Sequence, residues 1–148
     1  MSVQEGSREY YAAESKIRGE IDARSLTRLL NAQNTEDLQA FLAVLREHPC
    51  ELRKLVRGQH GQFFQKTGHA NPLSAHGLLE KPGWHPALEA VHEILRMAES
   101  TRDSCIFDIA IREIRAVPNR ILGRREQARR DVAGVEKKAD LHVYAHAF

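Results

Sequence analysis

The sequence predicts an all-α fold of short antiparallel helices in a compact bundle. Three observations carry that expectation. Almost every apolar stretch repeats with a period near 3.6 residues. No series of alternating apolar and polar segments is present to build a sheet; only the closing stretch ADLHVYAHAF alternates weakly, and it reads as irregular or helical. Capping and turn residues fall between the stripes, so each rod is short.

The elements follow in order. Residues 1–7 are expected to fray. The first helix runs from about Arg8 to Ile21, with Tyr10, Ala13, Ile17 and Ile21 near one face and Gly19 weakening its end. Asp22 is placed to cap a short helix over 23–32 that carries Leu26, Leu29 and Leu30 on one side. Asn34 or Thr35 caps the next helix, and Glu36 and Asp37 sit where the helix dipole favours acids. Its stripe, Leu38, Phe41, Leu42 and Leu45, is the clearest in the chain. Pro49 stops that helix or starts a short one over 49–56.

The stretch GQHGQFFQKTGHANP (58–72) is rich in glycine and reads as a loop, with Phe63 and Phe64 pinning it to the body. A short helix over 73–80 and a turn at KPGW (81–84) follow. Pro86 suits a first helical position, and Ala87, Leu88, Val91, Ile94, Leu95 and Ala98 make one face of a helix ending near Glu99. After the turn STRD (100–103), a helix over 104–117 buries Phe107, Ala110, Ile111, Ile114 and Val117. Pro118 is expected to end or kink it. A basic helix over 119–131 then has only Ile121 and Leu122 as anchors. The whole reads as one helical domain, 1–148, with a basic C-terminal helix and tail over 119–148.

Composition narrows the function classes. The chain has 148 residues, 42% hydrophobic and 28% charged, which suits one folded domain. Mean hydropathy is −0.49, and no apolar run approaches the roughly 18 residues of a membrane span. The first residues lack a basic start followed by an apolar run, so a cytoplasmic location is expected, with non-classical secretion left open. Cys50 and Cys105 fit no zinc spacing and are too few for a disulfide scaffold, so both are read as reduced thiols. No cofactor is expected.

The net charge of +2 hides an uneven distribution. The first 60 residues balance nine basic against nine acidic side chains. Between 112 and 130, however, stand Arg112, Arg115, Arg120, Arg124, Arg125, Arg129 and Arg130 against only Glu113 and Glu126. Arginine forks suit phosphates and carboxylates, so this segment is a candidate surface for nucleic acid or an acidic protein partner. No aromatic residue lies between Arg112 and Arg130 to stack on bases, and Glu126 can pair with Arg130 along the helix. A solvated charged helix is the plainer reading of the same residues.

Histidines cluster in the middle. His76, His85 and His92 are candidate metal ligands or bases, with Glu89 between the last two on one side of the predicted helix. Convergent spacing such as HExxH is absent, and histidine is equally at home at helix borders and turns. Cys105 stands at a predicted helix start, where a thiolate is stabilised. Walker, Rossmann and GxSxG motifs are all missing. Phe63, Phe64, His69 and Trp84 are candidates for a partner-contact loop.

Two segments, DLQAFLAVLREHP (37–49) and ALEAVHEILRMAE (87–99), align without gaps. NPLSAHGLL (71–79) resembles the Thr-Pro-Leu-His opening of an ankyrin repeat, and LEAVHEIL (88–95) looks like that family's second helix. LTRLLNAQNTEDLQAFLAVL (26–45) looks like a capping helix pair. Ser74 stands where the family has histidine, and the two second helices are 50 positions apart, against a family period of about 33. The resemblance, over residues 26–99, implies a degenerate helix-pair stack that recognises a protein partner rather than performing chemistry. The leading expectation is therefore a small helical protein-interaction module, as in a regulatory or secreted bacterial factor. Nucleic-acid association through 112–130 and a histidine-based metal protein or enzyme centred on 76–92 are the alternatives.

Overall fold

A computed structural model describes Gln4, residues 6–49, Leu52, Lys81 and residues 83–147, with side chains through Gly134. The described residues form an all-α fold of five helices. The expected helices over 49–56 and 73–80 and the loop over 58–72 lie mostly or wholly outside the described residues.

Helix α1 spans Arg8–Ala23. Ser7 opens it by accepting a hydrogen bond from the Tyr10 amide at 3.1 Å. Tyr10, Ile17 and Ile21 are buried. Asp22 does not cap a following helix, as the sequence suggested; it lies inside the last turn of α1 and accepts from the Ser25 amide. The reversal comes at Ser25, which adopts a left-handed conformation with φ of 56°. Turning there places Leu26 and Leu30 of the short helix α2, Leu26–Asn31, in the same core as Ile17 and Ile21.

Helix α3, Thr35–Glu47, is capped by Asn34, whose side chain accepts from the Asp37 amide at 2.8 Å. Its buried stripe contains Leu38, Phe41, Leu42 and Leu45, and Val44 widens it. Helix α4 spans Trp84–Ser100 and starts two residues before Pro86. Gly83 explains the early start: its φ of 85° is a conformation that side-chain-bearing residues rarely adopt. The Gly83 carbonyl also accepts from the Gln33 side chain at 3.1 Å, tying the α2–α3 turn to the start of α4. Trp84, expected in a partner-facing loop, is instead fully buried, with its ring centroid 5.3 Å from that of Phe41. Once the helix begins at Trp84, its first turn faces the core, and the large indole fills it.

Asp103 ends the turn after α4 by accepting from the Cys105 amide at 2.9 Å. Helix α5 then runs unbroken over 44 residues, Ser104–Ala147. It passes through Pro118, where the sequence suggested a stop or kink. Proline removes the amide that would bond the Ile114 carbonyl and costs about 3 kcal/mol in a helix interior. Pro118 is itself buried, as are Ile114, Val117 and Ile121 next to it along the helix, and burying apolar surface works against that cost.

α5 is the strut of the molecule, and α1, α2, α3 and α4 all pack on it. Thr35 and Arg46 of α3 meet Arg125 and Asn119, so α3 runs against α5. Phe107, Ala110, Ile111, Ile114, Val117 and Ile121 are buried on α5, as are Ile109 and Glu113 on a second side. From Gly123 to Gly134 no residue is buried.

Truncating the strut should be costly and local in kind. Ile114→Ala, at a fully buried position, is expected to lower unfolding free energy in urea by about 2–5 kcal/mol. Arg120→Ala, at an exposed one, should stay within about 0.5 kcal/mol. The single tryptophan should emit with the blue-shifted spectrum of a buried indole and resist acrylamide quenching until the chain unfolds.

Candidate functional site

The seven arginines divide by height along α5, and the lowest is structural. Arg112 donates to Tyr10 Oη, to Glu14 and to Glu113 Oε1 at 3.2 Å, and lies over the Tyr10 ring. Arg18 of α1 completes the group with a bidentate pair to Glu113, 3.1 and 3.2 Å. Glu113 is only 4% exposed. Its burial pushes the carboxyl pKa up, but hydrogen bonds from Arg18 and Arg112 outweigh that and hold it below the ordinary value. The Tyr10 hydrogen bond, with help from Glu113 and Glu14, pushes the Arg112 guanidinium up against the opposing effect of burial. Arg112 is therefore committed to the α1–α5 contact.

Arg125 is committed as well. Its guanidinium donates to the Asn31 carbonyl at 3.0 Å, the Gln33 carbonyl at 2.8 Å and Thr35 Oγ1 at 3.2 Å. The carbonyls at the end of α2 need donors that their own helix does not supply, and Arg125 reaches across from α5 to provide them. Arg129 and Arg130 both pair with Glu126 on the exposed part of the helix. Arg115, Arg120 and Arg124 have no carboxylate partner among the described residues.

Arg124 faces a cleft between α5 and the α1–α2 corner, with a volume of about 620 Å³. Arg28 of α2 lines it too, giving two guanidinium groups in one depression. Ile21 contributes apolar surface, and Asp22, Ser25, Thr27 and Asn31 supply hydrogen-bonding groups. The cleft exists because Ser25 turns the chain sharply and Arg125 then clamps the end of α2 onto α5. Arg28 did not stand out in the sequence: a lone arginine in a six-residue helix becomes notable only when α5 is laid beside it.

The histidine candidates do not assemble among the described residues. His85 is exposed with Nε2 3.6 Å from Glu89, and His92 lies half-buried two turns further along α4. Among the described residues no group of three or more histidine, cysteine, aspartate or glutamate side chains is arranged to hold a metal. His76, His69, Phe63 and Phe64 lie outside the described residues, as does Cys50; Cys105 is half-buried in the first turn of α5. No described helix is long and apolar enough to cross a membrane. No protein family, curated protein or solved structure matches the chain.

The buried carboxylate carries a pH signature. Because the folded pKa of Glu113 lies below its unfolded value of 4.5, its contribution is complete above that value and is lost as pH falls through the folded pKa. Glu113→Gln should lower stability at pH 7 by about 1.5–3 kcal/mol, the scale of hydrogen bonds to a charged group. It should also flatten the fall in melting temperature below pH 4.5, measured by calorimetry across the acid range.

Proposed function

We propose that this chain is a helical protein–protein interaction module that takes an acidic segment of a partner protein into the cleft between the α1–α2 corner and α5. The observation that carries the reading is the pair Arg28 and Arg124, which line one cleft and have no carboxylate partner among the described residues. Arginine forks bind carboxylates bidentately. Ser25, Thr27 and Asn31 stand beside them to bond the backbone of such a segment, and the volume suits a few side chains. The likeness of residues 26–99 to ankyrin-type helix pairs supports the same class of function, in the cytoplasm.

Nucleic-acid binding is the weaker alternative for the same arginines. Arg112 and Arg125 are consumed by internal contacts, and Arg129 and Arg130 share Glu126. That leaves a small cationic patch interrupted by Asp22, with no aromatic side chain in the cleft for stacking.

Fluorescence anisotropy with a labelled oligoglutamate peptide separates the two. Saturable peptide binding is expected, weakened about tenfold or more in the Arg28→Glu/Arg124→Glu double variant, which removes both charge-assisted contacts. Peptide binding that is absent, or indifferent to the double variant, overturns the proposal. Tighter, steeply salt-dependent binding of duplex DNA to the same residues would favour the alternative.

A further inference from the structure

Past Arg125 the helix continues, but no residue from 126 to 134 is buried. Phe107, Ile111, Ile114, Pro118 and Ile121 are buried at alternating steps of four and three residues. The same rhythm leads on to Arg125, among the described residues the last α5 side chain bonded to the body, and then to Ala128 and Val132. Both are exposed, and Val132 is 58% exposed, one of two large apolar side chains so exposed among the described residues. In sequence register the next two positions on this seam are Val135 and Ala139. From Arg125 to Ala147 the helix extends about 33 Å at 1.5 Å per residue.

The described part of this stretch, 126–134, has no buried residue, and a helix without tertiary packing is marginal in water. Within 123–134 its own support is a few pairs along the surface, such as Glu126 with Arg130 and Gln127 with Asp131 at 2.9 Å, each worth only a few tenths of a kcal/mol. A sustained seven-residue apolar rhythm is the pattern by which one helix seats another. The flanking charges identify the occupant and its direction.

We propose that residues 126–141 of α5 pair antiparallel with the same segment of a second copy of this chain, about a twofold axis between positions 133 and 134. That register sets Val132 opposite position 135 of the second copy and Ala128 opposite position 139, with small residues allowing close approach at both ends. On one flank Arg129 falls opposite position 136, a glutamate. On the other flank Asp131 falls opposite position 138, a lysine. Twofold symmetry repeats each match, so four complementary pairs border the seam. A parallel pairing would instead set Arg124 against Arg129 and Asp131 against Glu136, like charge on like charge at both of these flanks. The inference is independent of the acidic-segment cleft, which lies on the body side of Arg125.

Analytical ultracentrifugation of the full chain from about 1 to about 100 μM tests it. A monomer–dimer equilibrium is expected. Val132→Glu and Arg129→Glu should each weaken it about tenfold or more; in a parallel pair Arg129→Glu would instead relieve the repulsion from Arg124 and tighten association. Arg129→Glu combined with Glu136→Arg should recover the original affinity to within about threefold, because positions 129 and 136 then carry opposite charges again. Buried emission from Trp84 in every variant reports that the body is folded. A single monomeric species across the range, a dimer untouched by Val132→Glu, or a swap that fails to recover association overturns the proposal.

Discussion

The apolar stripe of α5 between Phe107 and Ile121 is the constraint on which the rest of the molecule depends. α1, α2, α3 and α4 all bury surface against it, and none of them is long enough to make a core alone. A central helix of this kind is covered on more than one side, and that has a chemical consequence. Glu113 lies on the side that faces α1 and ends up almost fully buried. Burying a carboxylate is costly unless it is fully hydrogen-bonded, and two arginines from two different helices supply those bonds.

The same helix also decides what its other arginines do. Arg112 sits level with α1 and is absorbed into a charged network; Arg125 sits level with the end of α2 and supplies missing donors there. Arg124, one residue earlier, points into the cleft. Arg129 and Arg130 lie above the body and, among the described residues, pair only with Glu126. One basic stretch is thus structural at the bottom, cleft-lining in the middle and solvated at the top. Asp37 shows the same logic at the start of α3: it is buried, and Asn34 and Lys81 both bond its carboxylate.

Where burial follows from periodicity, the sequence could be read directly. The stripes Leu38–Leu45, Ala87–Ala98 and Phe107–Val117 all enter the core, because a stripe one turn apart has only one face to hide. Boundaries that hinge on a single backbone conformation were harder: Ser25 and Gly83, both left-handed, move one helix start later and another earlier than their capping residues suggest. Pro118 breaks a helix only when nothing repays the lost hydrogen bond, and that depends on side chains packed around its ring. The candidate site was legible as a basic segment but not as a cleft. The contacts that consume Arg112 and Arg125 come from residues about a hundred positions away, and Arg28 becomes a partner of Arg124 only in three dimensions.

Amide hydrogen exchange along α5, followed in dilute solution, probes the strut most directly. Amides of residues 107–121 are expected to exchange only through global unfolding, on both sides of Pro118, while those from 126 to 134 exchange on the order of a hundredfold faster or more. Protection that collapses at Pro118, or that is equal above and below Arg125, would contradict a single helix anchored as far as Arg125 and projecting beyond it.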